Sequence, residues 1–430
     1  MSELKIGQIG VKQLVKLNES EIIKCETEYL RYDLYCKLVQ DISKGFIVDK
    51  NPNFQRKKIY ECKNIIDRYI LECINDGVVT RCTSITHNNV KIDILDYEDL
   101  SRYIFFNNKG NYTESIYYTK MLNEFAEKRI TFKTGFNIGN TIEYYSTKFR
   151  TLLSEIEKGV KATGELYNKG KWCDFTVENN NSNKDDTNVV VFTYKNYTKK
   201  LSIWRFLLLV KNFERPSLYD VARMLLRYAI FDNSNQQWSI GVGLYEFINT
   251  NFDICFEMFA SPLNFNMKRY CTIFLDSDSV FGSIGNFYTL NCDTILNNNI
   301  RGVFYNPPYL PLLMSKTIDM CLNLLDVLAN SYNYEFSIFA FLPYWSDAEY
   351  INNIMINKYV VSSKVFKRGE FVLHEKDKGK VIKGTFDLVV IFLNNKWEKM
   401  GLKEQGIKQY KELFDDVISY MHNEVEELEN

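Results

Sequence analysis

The residues best suited to chemistry form one short turn, Tyr305-Asn306-Pro307-Pro308-Tyr309. The side-chain oxygen of Asn306 and the main-chain carbonyl beside it can accept hydrogen bonds from an exocyclic amino group, which draws the nitrogen lone pair out of conjugation with its ring. Pro307 and Pro308 fix the backbone and remove two N–H donors that would compete for these carbonyls. Tyr309 offers a face on which a flat base can stack. The turn therefore predicts methyl transfer to a planar nitrogen and leaves the substrate open.

The segments on either side of this turn are those that must position it. The apolar run at residues 302–304 is typical of a buried parallel strand, and residues 311–330 carry apolar side chains at helical spacing. A strand, a polar turn and a helix place the turn at the carboxyl end of the strand, where ligands bind in such sheets. An ordinary proline-rich turn is the alternative, and the strand–helix context favours the functional interpretation.

Strand and helix patterns alternate after residue 242. The predicted strands are residues 254–259, 272–275, 287–290, 302–305 and 336–342, followed by an edge hairpin at 359–366 and 386–393. This order predicts an α/β fold, a Rossmann-like seven-stranded class I methyltransferase sheet. The hairpin connection, residues 367–384, is rich in lysine and arginine.

Residues 1–231 are predicted to form a mainly helical accessory region that builds part of a substrate groove. The predicted helices are residues 20–45, 52–77, 112–128, 141–167 and 217–231, and the predicted strands are 79–85, 90–95, 172–177 and 189–194. Arg223 and Arg227 share one face of the last helix, either as phosphate contacts or as an ion-paired face. Residues 232–400 are the predicted methyltransferase domain, and residues 401–430 a C-terminal amphipathic helix.

Composition excludes several classes of protein. The 430 residues carry a net charge of −1, with 46% hydrophobic and 25% charged residues, which is typical of a soluble globular chain. The ten cysteines include no Cys-x-x-Cys pair and there are three histidines, so neither zinc nor a disulfide framework is expected. No run of eighteen apolar residues and no signal-peptide core is present, which predicts an intracellular, non-membrane protein. The near-zero charge disfavours coating nucleic acid but allows binding to a short segment or an end.

Three further stretches narrow the substrate class. Residues 256–264 read Phe-Glu-Met-Phe-Ala-Ser-Pro-Leu-Asn, residues 276–283 include Asp-Ser-Asp and Phe-Gly-Ser, and residues 341–345 read Phe-Leu-Pro-Tyr-Trp. Together with the turn they resemble the phosphorylated-CTD-interacting-factor family of cap-specific adenosine N6-methyltransferases, over residues 242–395. The family usually has Phe where this chain has Tyr309, a change that leaves the class of reaction unchanged.

The resemblance also separates this chain from most enzymes that use S-adenosylmethionine, because the usual glycine-rich turn is missing. Larger family members carry a WW domain that binds the phosphorylated tail of RNA polymerase II. No such domain is recognisable in this sequence, so binding to the polymerase tail is not expected.

The resemblance implies S-adenosylmethionine as the methyl donor and requires no metal. The carboxylates of Glu257 and of Asp276 or Asp278 are expected to bind its ammonium and hydroxyl groups, with Phe281 beside the adenine. The floor of the pocket is expected to consist of Phe259, Ala260, Ser261, Pro262 and Asn264.

The implied substrate is the 5′ end of capped RNA, methylated at N6 of the cap-adjacent (2′-O-methyl)adenosine. Lys367 and Arg368 belong to the basic segment that is expected to receive the cap triphosphate, with Arg223 and Arg227 as further candidate contacts. Three alternatives stay open: a DNA adenine N6-methyltransferase, a protein glutamine N5-methyltransferase with the same turn, and a catalytically inactive binding module. The missing glycine-rich loop counts against the second, and the intact turn against the third.

Overall fold

The computed structural model describes residues 12–17, 19–47, 52–86, 116–162, 172–178, 189–211, 216–231, 238–375, 379–396 and 404–429. The chain divides into two compact units, Met1–Asn235 and Gln236–Asn430. The division lies close to the predicted boundary after residue 231. The C-terminal helix belongs to the second unit.

The first unit combines long helices with a small sheet. Its helices are α1 (Glu19–Lys44), α2 (Pro52–Thr86), α3 (Ile116–Glu127), α4 (Ile138–Ala162), α5 (Ile203–Lys211) and α6 (Leu218–Tyr228). Its antiparallel strands are β1 (Lys12–Lys16), β2 (Trp172–Glu178), β3 (Val189–Tyr194) and β4 (Tyr197–Ser202), in that order across the sheet. Helix α1 packs against α4 and α6, and α2 packs against α3.

The predicted elements of this unit are largely confirmed, with one error. Helix α6 begins at a capping box in which the Ser217 hydroxyl accepts from the Asp220 N–H, as the sequence pattern predicts. The strand predicted at residues 79–85 is wrong, because helix α2 continues through them to Thr86. A run of β-branched residues favours a strand only weakly, and its context decides. The strand predicted at 90–95 lies outside the described residues.

The second unit is built on a seven-stranded sheet. Its strands are β6 (Phe256–Glu257), β7 (Arg269–Cys271), β8 (Ser283–Gly285), β9 (Gly302–Tyr305), β10 (Ser337–Pro343), β11 (Val360–Phe366) and β14 (Leu388–Asn394), and their spatial order is β11-β14-β10-β9-β6-β7-β8. Strands β6 to β10 run parallel, whereas β14 is antiparallel to both of its neighbours. The mixed seven-stranded sheet is the expected α/β architecture.

The strand order reverses between β6 and β9. From β6 the chain proceeds outward to β7 and β8, and it then returns to place β9 on the other side of β6. We call this place, where the strand order changes direction, the switch point of the sheet. In doubly wound folds a crevice opens there at the carboxyl ends of the strands. The segments that follow β6 and β9 therefore meet at the preferred ligand site of the fold.

Helices cover both faces of the sheet. Alternate strand residues such as Val303 and Tyr305 pack into one core with helices α10 (Pro311–Tyr332) and α11 (Glu349–Met355). Phe304 points to the opposite core, which includes residues of α7 (Val242–Phe252) and α12 (Glu404–Glu429). Phe414 of α12 stacks on Phe339 with ring centroids 5.8 Å apart. The C-terminal helix is therefore a structural layer of the sheet unit.

The remaining elements are short. Helices α8 (Leu275–Asp278) and α9 (Cys292–Asn297) lie in the connections between β7 and β9. Strands β12 (Val372–Glu375) and β13 (Lys380–Lys383) form a hairpin in the basic connection, and β5 (Trp238–Ser239) pairs with β12 to give a three-stranded sheet. This small sheet was not predicted.

Two of the predicted strands of the main sheet are displaced. Residues 287–290 were predicted as a strand, but Phe287–Thr289 form a 3-10 turn whose start is capped by the Asn286 side chain. Residues 272–275 were also predicted as a strand, but the observed strand β7 ends at Cys271 and helix α8 begins at Leu275. In both places buried apolar side chains of a loop imitate a strand, because burial alone does not distinguish the two.

Candidate active site

The Asn-Pro-Pro-Tyr turn directly follows β9. Gly302–Tyr305 are buried, whereas Asn306 and Tyr309 are partly exposed. The Leu310 N–H donates to the Pro308 carbonyl at 2.7 Å, and Pro311 begins helix α10. Proline suits the first helical position because it lacks an N–H that would be unsatisfied there. The turn is thus fixed between a buried strand and a long helix.

Tyr309 contacts two side chains in this turn and its surroundings. Its hydroxyl donates to the Asn306 amide oxygen at 3.1 Å. Its ring lies edge to face against Phe386, with ring centroids 5.2 Å apart and an interplanar angle of 81°. Burial raises the pKa of Tyr309 above its ordinary value, so that the hydroxyl keeps its proton. The amide oxygen assigned to an amine substrate therefore has a hydrogen-bond donor within the protein.

Glu257, at the end of β6, is 3% exposed and holds the loop that follows. Its Oε2 accepts the backbone N–H groups of Asn266 at 2.7 Å and Met267 at 3.0 Å. The Tyr245 hydroxyl also bonds this carboxylate, and burial followed by the Glu257 charge raises the pKa of Tyr245 well above its ordinary value. These donors explain how a buried carboxylate is tolerated. A contact of Glu257 with cofactor stays a prediction, and the observed bonds give it a loop-holding role.

The loop from residue 258 to 267 keeps its shape without glycine. The Asn264 side-chain oxygen accepts from the Ser261 N–H at 2.8 Å and from the Ser261 hydroxyl at 3.1 Å. The Ser261 carbonyl accepts from the Asn264 and Phe265 N–H groups. Every residue of this loop is described, and none has a positive φ. A glycine-rich turn is unnecessary here because no left-handed residue is required.

Backbone hydrogen bonds join this loop to both neighbouring strands. The Met258 N–H donates to the Phe304 carbonyl at 2.9 Å, two residues before Asn306. The Ala260 N–H donates to the Cys271 carbonyl at 3.0 Å. Phe259 is partly exposed, and its ring lies 5.7 Å from that of Tyr305. The predicted pocket floor and the predicted catalytic turn are therefore adjacent at the switch point of the sheet.

The candidate residues after β7 have three different surroundings. Asp276 is partly exposed on α8, as a ribose or ammonium contact requires. Asp278 is fully buried and accepts hydrogen bonds from the Thr272 and Ser277 hydroxyls. Phe281 is also fully buried, and its carbonyl accepts from the Tyr270 hydroxyl. Asp276 is the better placed carboxylate, while Asp278 and Phe281 support the segment from inside.

Lys367 and Arg368 follow β11 at the same edge of the sheet as Asn306. Strand β11 is antiparallel to β14, which is antiparallel to β10, so β11 and β10 end at one edge. The Asp387 carboxylate accepts from the Lys367 ammonium and from the Arg368 N–H, both at 2.9 Å. That ion pair lowers the pKa of Asp387. Residue 387 is next to Phe386, which links this basic pair to the ring of Tyr309.

Arg223 and Arg227 are buried, whereas a phosphate contact needs an exposed side chain. They are 9% and 1% exposed, and Arg227 donates to Glu28 of α1 at 2.6 Å. Burial acts to raise the pKa of Glu28, but the charges of Arg227 and Arg31 lower it overall. The structure places both arginines in the interior of the first unit, and the pairing of Arg227 with Glu28 agrees with the ion-paired alternative.

Sequence patterns did not indicate several residues that shape the site. Asn266 and Tyr245 bond Glu257, Phe386 packs against Tyr309, and Asp387 pairs with Lys367. None belongs to a motif, and their partners are brought together by folding. The one available signal was the unexplained carboxylate of Glu257 in an apolar strand, which required donors from elsewhere in the chain.

The side chains at this edge are of the types that bind a methyl donor composed of a nucleoside and an amino acid head. Partly exposed carboxyl and aromatic side chains, Asp276 and Phe259, lie in segments that follow neighbouring strands. Strand β7 and the loop after β6 are joined by the bond from Ala260 to Cys271. A glycine-rich cradle serves phosphate groups in dinucleotide sites. A methyl donor without phosphate groups needs no such cradle.

The described residues contain no metal-binding cluster and no helix that could span a membrane, and a groove among them lies away from the predicted site. Within them, no group of three or more His, Cys, Asp or Glu side chains could hold a metal ion. Among the helices that the structure describes, none combines the length and apolar character of a membrane span. A groove of about 510 Å³ runs along one face of α4, within residues 140–152, and contains none of the predicted site residues.

Comparison with known proteins agrees with the motif-based resemblance. Residues 211–378 match the family model described as Phosphorylated CTD interacting factor 1 WW domain. These residues contain helix α6, the switch point and the Asn306 turn. This part of the chain is similar to the phosphorylated-CTD-interacting-factor family. The matched residues contain all five parallel strands of the sheet, β6 to β10.

Two curated relatives carry the same name, mRNA (2′-O-methyladenosine-N(6)-)-methyltransferase. The mouse protein is 30% identical over 140 residues, covering 31% of this chain and 18% of the relative. The human protein is 30% identical over 177 residues, covering 38% of this chain and 24% of the relative. The similarity to these family members therefore spans a quarter of their length or less.

Proposed function

We propose that the second unit transfers a methyl group from S-adenosylmethionine to N6 of the cap-adjacent adenosine of capped mRNA. The observation that carries this proposal is the meeting of two segments at the switch point of the sheet. The loop after β6 and the Asn306 turn after β9 are joined by the bond from Met258 to Phe304. The similarity to this family and the activity named for the mouse and human relatives suggest the substrate class.

The strand order supports a class I methyltransferase sheet. Numbered within the unit, the strands run 3-2-1-4-5-7-6, with the sixth and seventh as an antiparallel hairpin at one edge. The first five positions are those of a doubly wound fold. In this arrangement Asp276, Phe259 and the loop of residues 258–267 would hold the methyl donor. Bound there, S-adenosylmethionine would supply the methyl group as an electrophilic sulfonium.

The chain's own residues would act on the amine. The Asn306 amide oxygen would accept a hydrogen bond from the exocyclic N–H, which makes the nitrogen lone pair available for the new N–C bond as the C–S bond breaks. The proton can leave to water after transfer, when the nitrogen has become acidic. The ring of Tyr309, held by Phe386, would stack the adenine. Catalysis would thus rest on positioning and on a preorganised acceptor.

The basic pair Lys367 and Arg368 is the proposed contact for the cap triphosphate. Both residues are at the carboxyl edge of the sheet, and their segment is linked to Tyr309 through Phe386. Arg223 and Arg227 are not part of this proposal because they are buried. Binding of the polymerase tail is not part of it either, although the family model that matches residues 211–378 is described as a WW domain. In this structure those residues include strands β6 to β11 of the seven-stranded sheet.

The direct test uses capped RNA that begins with 2′-O-methyladenosine, S-adenosylmethionine and mass spectrometry of the product. Asn306→Ala is expected to lower turnover on the order of 10²–10³-fold while leaving S-adenosylmethionine affinity unchanged. Asn251→Ala is a matched control, because that partly buried asparagine bonds only within its own helix.

The substrate arms decide between the alternatives. Uncapped RNA, RNA that begins with guanosine, and duplex DNA are expected to remain unmodified. Equal rates on internal adenosines would remove the cap assignment and leave the adenine chemistry standing. Preferential methylation of duplex DNA would favour a DNA adenine methyltransferase. An Asn306→Ala enzyme with near-normal turnover would overturn the proposed mechanism.

A further inference from the structure

The hydroxyl of Tyr309 has no part in base stacking. A phenylalanine ring would present the same face, and the family usually has one at this position. In this chain the hydroxyl lies 3.1 Å from the Asn306 amide oxygen, the atom assigned to the substrate amine. The contact therefore connects the stacking residue to the acceptor.

A carboxamide needs to be held in one orientation to act as an acceptor. One side of the group is an oxygen with two lone pairs, and the other is an NH2 with two donor hydrogens. Its terminal torsion is broad and roughly two-fold, so the two sides can exchange. If the NH2 faced the substrate amine, two donors would oppose each other. A fixed neighbour is required to keep the oxygen toward the amine.

Tyr309 is itself fixed from two directions. The backbone is held by the bond from Leu310 to Pro308 and by the start of α10 at Pro311. The ring is held by the edge-to-face contact with Phe386. Its hydroxyl therefore has a defined position relative to Asn306. Because burial raises the pKa of Tyr309, the hydroxyl remains a donor throughout the working range of pH.

We propose that the Tyr309 hydroxyl is a positioning group that orients the Asn306 carboxamide oxygen toward the substrate amine. This inference rests on the proposed function. The hydroxyl occupies one lone pair of the oxygen, and the second lone pair receives the amine N–H. The acceptor is thereby ordered before substrate arrives, so its reorganisation costs nothing during the reaction.

The test compares Tyr309→Phe with the unaltered protein on capped RNA. A neutral hydrogen bond predicts a single-turnover rate roughly three- to tenfold lower in the variant. The KM for RNA and the affinity for S-adenosylmethionine are expected to stay unchanged, and the free energy of unfolding should fall slightly, because a hydrogen bond of the free protein is lost. Stacking is measured separately with RNA that carries 2-aminopurine at the first transcribed position, whose fluorescence Tyr309→Phe should still quench.

Tyr334→Phe provides a matched control. The Tyr334 hydroxyl also donates to an asparagine oxygen, that of Asn299 at 3.3 Å, and to the Ile300 carbonyl at 3.3 Å, but beside the start of β9 at the opposite edge of the sheet. This variant loses the same kind of bond and should keep its rate.

The inference would be overturned if Tyr309→Phe kept the full single-turnover rate, or if it lowered the KM, because the hydroxyl would then compete with the substrate. It would also be overturned if Tyr334→Phe lost as much rate as Tyr309→Phe. Failure of the unaltered protein to methylate any adenosine substrate is a different result. It would contradict the proposed function, and the 2-aminopurine and unfolding measurements would not be affected by it.

Discussion

Replacing Glu257 by glutamine separates a loop-holding role from a direct contact with the methyl donor. The Oε2 atom accepts the Asn266 and Met267 N–H groups at 2.7 and 3.0 Å. Glutamine can keep both bonds through its carbonyl oxygen, but they become neutral. Bonds to charged groups contribute about 1.5–3 kcal/mol each and neutral ones about 0.5–1.5 kcal/mol. Two such bonds predict a loss of about 2–3 kcal/mol in the free energy of unfolding of the second unit.

The measurement is denaturant unfolding of the full chain, combined with calorimetry of S-adenosylmethionine binding. If Glu257 holds the loop, Glu257→Gln should lower both stability and affinity. If its charge contacts the donor alone, affinity should fall while the unfolding midpoint remains. Glu246→Gln, on the exposed face of α7, is the control. A Glu257→Gln protein with wild-type stability would refute the loop-holding role.

Three further predictions concern charge. Arg227→Met should destabilise the first unit by about 3 kcal/mol, the low end for a broken buried pair, because Glu28 loses Arg227 but keeps Arg31. Unfolding is measured by circular dichroism, and a loss of RNA affinity at unchanged stability would contradict this. The pKa of Glu28 is lowered from 4.5 in the folded protein. Its ionised carboxylate therefore contributes to the free energy of unfolding above pH 4.5, and this contribution is lost as the pH falls through the pKa of the folded protein. Acid unfolding tests this. Arg368→Ala should raise the KM for capped RNA and lower the slope of log affinity against log salt by about 0.7, whereas the exposed Lys408→Ala should not; an unchanged slope would remove the triphosphate contact.

The sequence by itself determined the features that depend on local chemistry. Strand β9 and its turn have the predicted bounds, since an apolar run followed by Asn-Pro-Pro leaves few other conformations. The capping box of α6 formed as predicted because Ser217 and Asp220 are three residues apart. Strands β7 and β8 were displaced because they have three residues each and are defined by their ladder partners.

Tertiary structure decided which polar residues reach the site and which are buried. Arg227 pairs with Glu28 across 199 positions of sequence, and no local pattern distinguishes that buried ion pair from a phosphate contact. Glu257 was expected to face the methyl donor, but the returning loop supplies donors from Asn266 and Met267. The Tyr309 hydroxyl could be read from the sequence, whereas its bond to Asn306 depends on where the turn and Phe386 hold the ring. Residue types follow from the chain, but hydrogen-bond partners follow from the geometry that distant segments create.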